Sequence, residues 1–200
     1  MGGSPDPAVA RAWMDEGTRL LLEALDRLAD ADLDAATGLP GWTRRHVVAH
    51  VHFNAEALRR LASWARTGTE NRMYAGPEQR NAEIESGSAL PAADLRALVR
   101  GSAAALAADL DALPPDAWAN EVVTAQGRTV PATEIVWMRT RETAVHAVDL
   151  DAGVEFEDLP SGLVAALIDD IVAKRVAGGQ GPALARLLSG RGGTDIGPWL

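Results

Sequence analysis

The chain has no cysteine, which excludes disulfides, thiolate metal ligands and a cysteine nucleophile in one step. Any thiol chemistry must use a thiol brought from outside. Lys174 is the one lysine, so arginine carries almost all the positive charge. Basic residues number 19 against 28 acidic ones, a formal net charge of −9, which disfavours a nucleic-acid face or an anionic membrane partner. No apolar run approaches the ~20 residues of a membrane span, and the opening Met-Gly-Gly-Ser-Pro-Asp lacks the basic and apolar regions of a signal peptide. A cytoplasmic location is therefore expected. Neither Gly-x-Gly-x-x-Gly after a strand nor Gly-x-x-x-x-Gly-Lys-Ser/Thr occurs, so nucleotide cofactors have no support, and no Gly-x-Ser-x-Gly elbow occurs either.

What is present is a globular composition. With 200 residues, 47% hydrophobic and 24% charged, the chain has room for one core and a small appendage. Apolar residues recur at helical spacing from about Pro7 to Leu33, including Met14, Leu21, Leu25 and Leu28. After the loop Thr37-Gly38-Leu39-Pro40-Gly41-Trp42, Thr43 can cap a second helix running to about Thr67. The pattern fails from Gly68 to Ser88, which reads as a long, partly structured loop. A third helix is expected from about Pro91 to Leu113, where Pro114-Pro115 end it. Glu121 to Pro131 reads as an extended or turn segment around Gly127, and a fourth helix as about Ala132 to Asp151. A fifth spans about Ser161 to Val176, and the tail beyond is too glycine-rich for a packed domain of its own. The expected fold is all-α: a four-helix bundle over residues 1–153 that carries a metal site, then a short C-terminal helical and glycine-rich extension over 154–200.

Glu142 supplies the strongest chemical signal. It shares the stripe of Met138 and Val145 on the fourth helix, and a carboxylate pointing inward needs a cation, a hydrogen-bond network or a metal. His146 lies one turn on, at i+4. His50 shares the inward side of the second helix with Val47, Asn54 and Leu61, and facing helices of a bundle are where such folds build metal sites. Two imidazoles and one carboxylate suit a catalytic zinc with an open position, and equally the facial triad of non-haem iron. The plain structural alternative is a buried Glu–His hydrogen bond, or a salt bridge from Glu142 to Arg139 or Arg141. His46 is a rival ligand at the polar edge of the stripe. His52, turned about 200° from His50, reads as structural or solvated. Six tryptophans read as core packing, although Trp42 and Trp137 could line a pocket. Arg128 and Arg191, loop arginines beside glycine, are candidates for holding a carboxylate ligand.

Several separated segments, in order, resemble one family. Gly41-Trp42-Thr43-Arg44 leads to Ala49-His50-Val51, followed by Thr67-Gly68, Met73-Tyr74 and Arg80-Asn81-x-Glu83-Ile84. Then come Thr124-Ala125-Gln126-Gly127-Arg128-Thr129-Val130-Pro131 and Trp137-Met138-Arg139-x-Arg141-Glu142-x-x-x-His146-Ala147-Val148-Asp149-Leu150. Over roughly residues 10–175 the chain resembles the mycothiol-dependent maleylpyruvate isomerases. The resemblance implies a DinB-like four-helix bundle with zinc on His50, Glu142 and His146. It implies mycothiol as thiol cofactor and conversion of maleylpyruvate to fumarylpyruvate in gentisate breakdown. Members usually carry a further α/β domain, for which Ala177 to Leu200 is too short. Gly190-Arg191-Gly192 resembles the turn bearing that domain's functional arginine, so Arg191, then Arg128, is the expected catalytic arginine. A mycothiol S-transferase acting on another electrophile, or a non-enzymatic metal-binding module, are the alternatives.

Overall fold

A computed structural model of the chain describes residues 6–192, 196, 197 and 199. Asp6 opens α1 (Pro7–Arg27), its carboxylate accepting the Ala8 N–H at 2.9 Å, with Pro7 in the first turn where no donor is needed. The helix stops at Arg27 rather than continuing to Leu33. Leu28 is extended, Leu33 lies in a separate 3-10 turn (Asp30–Asp34), and the terminal carbonyls of Leu25 and Leu28 are taken by the Arg96 guanidinium. α2 (Arg44–Thr67) begins after Thr43, whose N–H donates to His46 Nδ1 at 3.1 Å, and ends at Gly68 in the left-handed region at φ 72°.

The stretch from Gly68 to Ser88 is not all loop: Gly76-Pro77 starts α3 (Pro77–Ser88) instead of interrupting it. α4 (Ala92–Asp111) follows. Two three-residue strands, β1 (Glu121–Val123) and β2 (Thr129–Pro131), then pair antiparallel around a turn that Gly127 closes at φ 77°. α5 (Glu134–Asp149) and α6 (Ser161–Ala177) lie close to the expected bounds, and the glycine-rich tail holds one more helix, α7 (Gly181–Leu188).

Helix packing runs α1 on α5, α5 on α2, α2 on α4 and α4 on α1, a closed four-helix bundle with α3 laid against α2. Two apolar clusters fill it. One contains Leu21, Leu25, Val47, Val51, Leu95, Ala147 and Leu150, and also takes in Leu163 and Leu167 of α6. The other contains Met14, Leu58, Leu61, Leu106, Leu110 and Ile135. Between them, where α2 passes from Val51 to Ala55 and α5 from Met138 to Ala144, sits a polar layer of Asn54, Arg139, Glu142 and Thr143. No helix among the described residues is long and apolar enough to cross a membrane.

The close crossing of α1 on α5 depends on Gly17. A Cβ there would lie 2.7 Å from Thr143 Oγ1 and 3.2 Å from the Ala144 nitrogen. Thr143 cannot turn away cheaply, since its hydroxyl donates to the Arg139 carbonyl at 3.1 Å. Gly17→Ala should therefore lose stability by about 1–2 kcal/mol, overpacking outweighing the ~1 kcal/mol that alanine adds to a helix. Gly101, inside α4 with nothing within 4 Å of its Cβ position, is the control. Gly101→Ala should gain about 0.5–1 kcal/mol. Urea midpoints compare the two, and stabilisation by both changes would refute the close-crossing argument.

Candidate metal centre

α2 and α5 face each other across the polar layer, and their helical period turns His50, Glu142 and His146 into the same space. One ligating atom from each lies within 4.8 Å of the others. His50 Nε2 is 2.8 Å from Glu142 Oε2, and His146 Nε2 is 3.4 Å from the same oxygen. Both imidazoles are buried, while the Glu142 side chain keeps 14% of its surface exposed. His146 Nε2 is buried and makes no hydrogen bond, its polar neighbour being Glu142 Oε2 at 3.4 Å, an arrangement that costs free energy unless a further partner reaches that nitrogen. Two imidazole nitrogens and one carboxylate oxygen fit a divalent cation such as zinc, a donor set that catalytic centres complete with a further ligand.

The surroundings support that use. His146 Nδ1 is 2.7 Å from Asp149 Oδ2, the carboxylate–histidine pairing that fixes a ligating ring's tautomer and orientation. Burial lowers the His50 pKa, which keeps the ring neutral and able to ligate. Burial would also lower His146, but the carboxylates of Asp149 and Glu142 overcome it and raise the pKa to about 9. For Glu142, burial works against ionisation, yet the two histidines hold the carboxyl well below its ordinary range, so it is an anion at neutral pH. Trp42 covers one side, its ring 5.3 Å from that of His50.

Of the other candidates, His46 does not join the cluster. Its Nδ1 is bound at the start of α2 by Thr43, and its Nε2 lies 3.6 Å from Glu85. His52 is buried beside Phe53 on the other side of α2. Neither Arg139 nor Arg141 forms a salt bridge with Glu142. Arg139 donates to the Val51 carbonyl at 2.7 Å and to Asn54 Oδ1 at 2.9 Å, while Arg141 pairs with Asp170 at 2.9 Å. Trp137 lines a cavity of about 720 Å³ with Trp118, Leu110 and Leu113, where α1, α4 and α5 meet.

Arg128 stands exposed at the β1–β2 turn, and Arg191 stands exposed after α7 with its guanidinium donating to the Ser189 carbonyl at 2.9 Å. Neither bonds to the cluster. The arginine that does reach it is Arg80 of α3, whose Nη2 lies 3.4 Å from His50 Nδ1. Periodicity missed Arg80 because its segment looked like a loop. Asp149, three residues after His146, could have been found from i,i+3 spacing.

A family profile described as the mycothiol maleylpyruvate isomerase N-terminal domain matches residues 14–151. The crystal structure of a mycothiol-dependent maleylpyruvate isomerase is 42% identical in sequence and superposes with a TM-score of 0.82, covering 84% of this chain and 70% of that one. A histidine-to-alanine mutant of a mycothiol-dependent maleylpyruvate isomerase gives the same values. No curated protein matches the chain. The bundle, its inward-facing residues and a profile spanning over half the sequence agree, and the chain belongs to the family of the mycothiol maleylpyruvate isomerase N-terminal domain.

Proposed function

We propose that this protein is a zinc- and mycothiol-dependent cis–trans isomerase that converts maleylpyruvate to fumarylpyruvate, a step of gentisate degradation. The observation that carries the reading is the convergence of His50, Glu142 and His146 in a chain without a cysteine of its own, joined to 42% identity with an enzyme of that name. Zinc held by these three residues would ionise an external thiol at neutral pH, and reversible addition of that thiol to the cis double bond lets the bond rotate before elimination.

The chain's own residues prepare the site for this chemistry. Glu142, anionic, and His50, neutral, offer their lone pairs without prior loss of a proton. Asp149 holds the His146 ring by Nδ1, so Nε2 is the nitrogen turned towards Glu142. Trp42 shields the site from water on its side. Arg191, and failing it Arg128, is proposed to hold a carboxylate of the substrate through its guanidinium fork. The reaction is assigned to the cytoplasm, where low-molecular-weight thiols are kept reduced.

The test is turnover of maleylpyruvate by zinc-loaded protein with and without mycothiol. Fumarylpyruvate should form only when the thiol is present, and the rate should rise with pH until the thiol is ionised, below the ~8.5 of a free cysteine-like thiol. Full-rate isomerisation in thiol-free buffer would overturn the addition–elimination reading. Adducts of other electrophiles without isomerisation would replace it by thiol transfer.

A further inference from the structure

Arg80 projects from α3 to the edge of the metal centre and has no carboxylate partner among the described residues. Its guanidinium lies 3.4 Å from His50 Nδ1 and 3.4 Å from Asn81 Oδ1, and 6.0 Å from the centroid of the Trp42 ring. Neighbouring arginines are engaged elsewhere: Arg60 with Glu83 and the Met73 carbonyl, Arg141 with Asp170, Arg139 with Val51 and Asn54. A half-buried guanidinium on an aromatic shelf beside a prospective metal ligand, with two long contacts and no anion, is arranged to receive one.

The contact with His50 cannot survive metal binding. Once His50 Nε2 gives its lone pair to a cation, the neutral ring carries its proton on Nδ1. A guanidinium N–H facing an imidazole N–H is donor against donor, so Arg80 is released in the loaded site and needs an acceptor.

We infer that Arg80 binds the carboxylate next to the reacting double bond of the substrate; this rests on the function proposed above. In a cis-enoate whose far end is a ketone, thiolate adds to the carbon bearing the carboxylate. A C–S bond forms there as the π pair moves towards the keto oxygen. After rotation that pair returns, the double bond reforms and the C–S bond breaks, so the thiolate is regenerated with no net redox change or loss of atoms. The attacked carbon is one bond from the carboxylate. A fork that holds this carboxylate beside His50 therefore places the carbon beside the position where the sulfur must sit. Arg191 is left for the distant carboxylate.

Calorimetric titration of zinc-loaded protein with maleate, the cis-enedioate fragment of that substrate, tests the inference without requiring turnover. Arg80→Ala should weaken maleate binding by about 10- to 100-fold, the loss of one charged hydrogen-bonded pair, and lower kcat/KM for maleylpyruvate by a similar factor. Zinc stoichiometry should be unchanged. Arg80→Lys, which keeps the charge without the fork, should fall between. Unchanged maleate affinity in Arg80→Ala, no maleate binding by the parent protein, or loss of zinc on substitution would each overturn the inference. A parent protein that binds maleate through Arg80 but isomerises nothing would leave this site standing and sink the proposed reaction instead.

Discussion

Replacing any one of His50, Glu142 and His146 by alanine should strip the purified protein of zinc after dialysis, whereas His52→Ala should keep it. The three supply the converging donors, and His52 lies on another face of α2. Removing one of three protein ligands should weaken zinc by well over the ~10- to 100-fold that loss of a supporting partner costs, and Asp149→Ala should show that smaller effect. Zinc per chain measured by atomic emission decides it, and equal zinc in all the variants would refute the ligand set. The pH dependence has a definite sign. In the metal-free protein His146 keeps its proton up to about pH 9, and a cation needs that nitrogen bare. Zinc uptake at pH 7 should therefore release a proton, and affinity should climb by up to about tenfold per pH unit until pH 9. Stability of the metal-free fold runs the other way. A pKa raised from 6.5 to about 9 contributes stability that is complete below about pH 6.5 and is lost as pH rises through 9.

Arg139→Ala should cost about 3–5 kcal/mol of folding stability, the largest structural effect expected of a single change here. The side chain is 1% exposed and lies between the two apolar clusters. Burial lowers its pKa to about 10, which still leaves it charged at neutral pH. Truncation opens a hole the size of the side chain, removes the extra hydrogen bond to the Val51 carbonyl, which keeps its partner within α2, and takes the Arg139 donor from Asn54 Oδ1. Arg139→Met should recover part of the loss by refilling the volume while still leaving Asn54 Oδ1 without the Arg139 donor. Urea denaturation of the metal-free proteins separates this from any effect on the metal. A loss below about 1 kcal/mol in the alanine variant would mean that the polar layer relaxes around the hole.

Much of this was legible in the sequence, for identifiable reasons. α2, α4 and α5 announce themselves because apolar stripes coincide with strong boundary residues: Thr43 and Gly68, Pro91 and Pro114. Glu142 and His146 stand out because i,i+4 spacing puts two costly polar groups on an inward stripe, and His50 because it shares its side of α2 with Val47 and Leu61. α3 was hidden because only Ile84 and Gly87 of it are buried, so it has almost no apolar stripe and its Pro77 looks like a breaker. Arg80 was hidden with it, since its nearness to His50 depends on how α3 lies across α2. The end of α1 was misplaced because Leu28 and Leu33 continue the apolar rhythm after the backbone has left the helix. α7 is short and bracketed by glycines, and local composition outweighed its Leu184 contact with the core.

α5 is gripped from its back as well as its front. Arg141, next to Glu142 in sequence, pairs with Asp170 of α6 at 2.9 Å, and its guanidinium also faces the Trp199 ring at 5.6 Å, as does Lys174 at 4.8 Å. A side-chain tip at roughly 6 Å from a helix axis travels about 1 Å when the helix rolls by ten degrees, enough to spoil a coordination sphere or a reacting geometry. The bonds behind α5 therefore act as a rotational stop, and the precision with which Glu142 and His146 face His50 is set partly by residues that never touch that cluster.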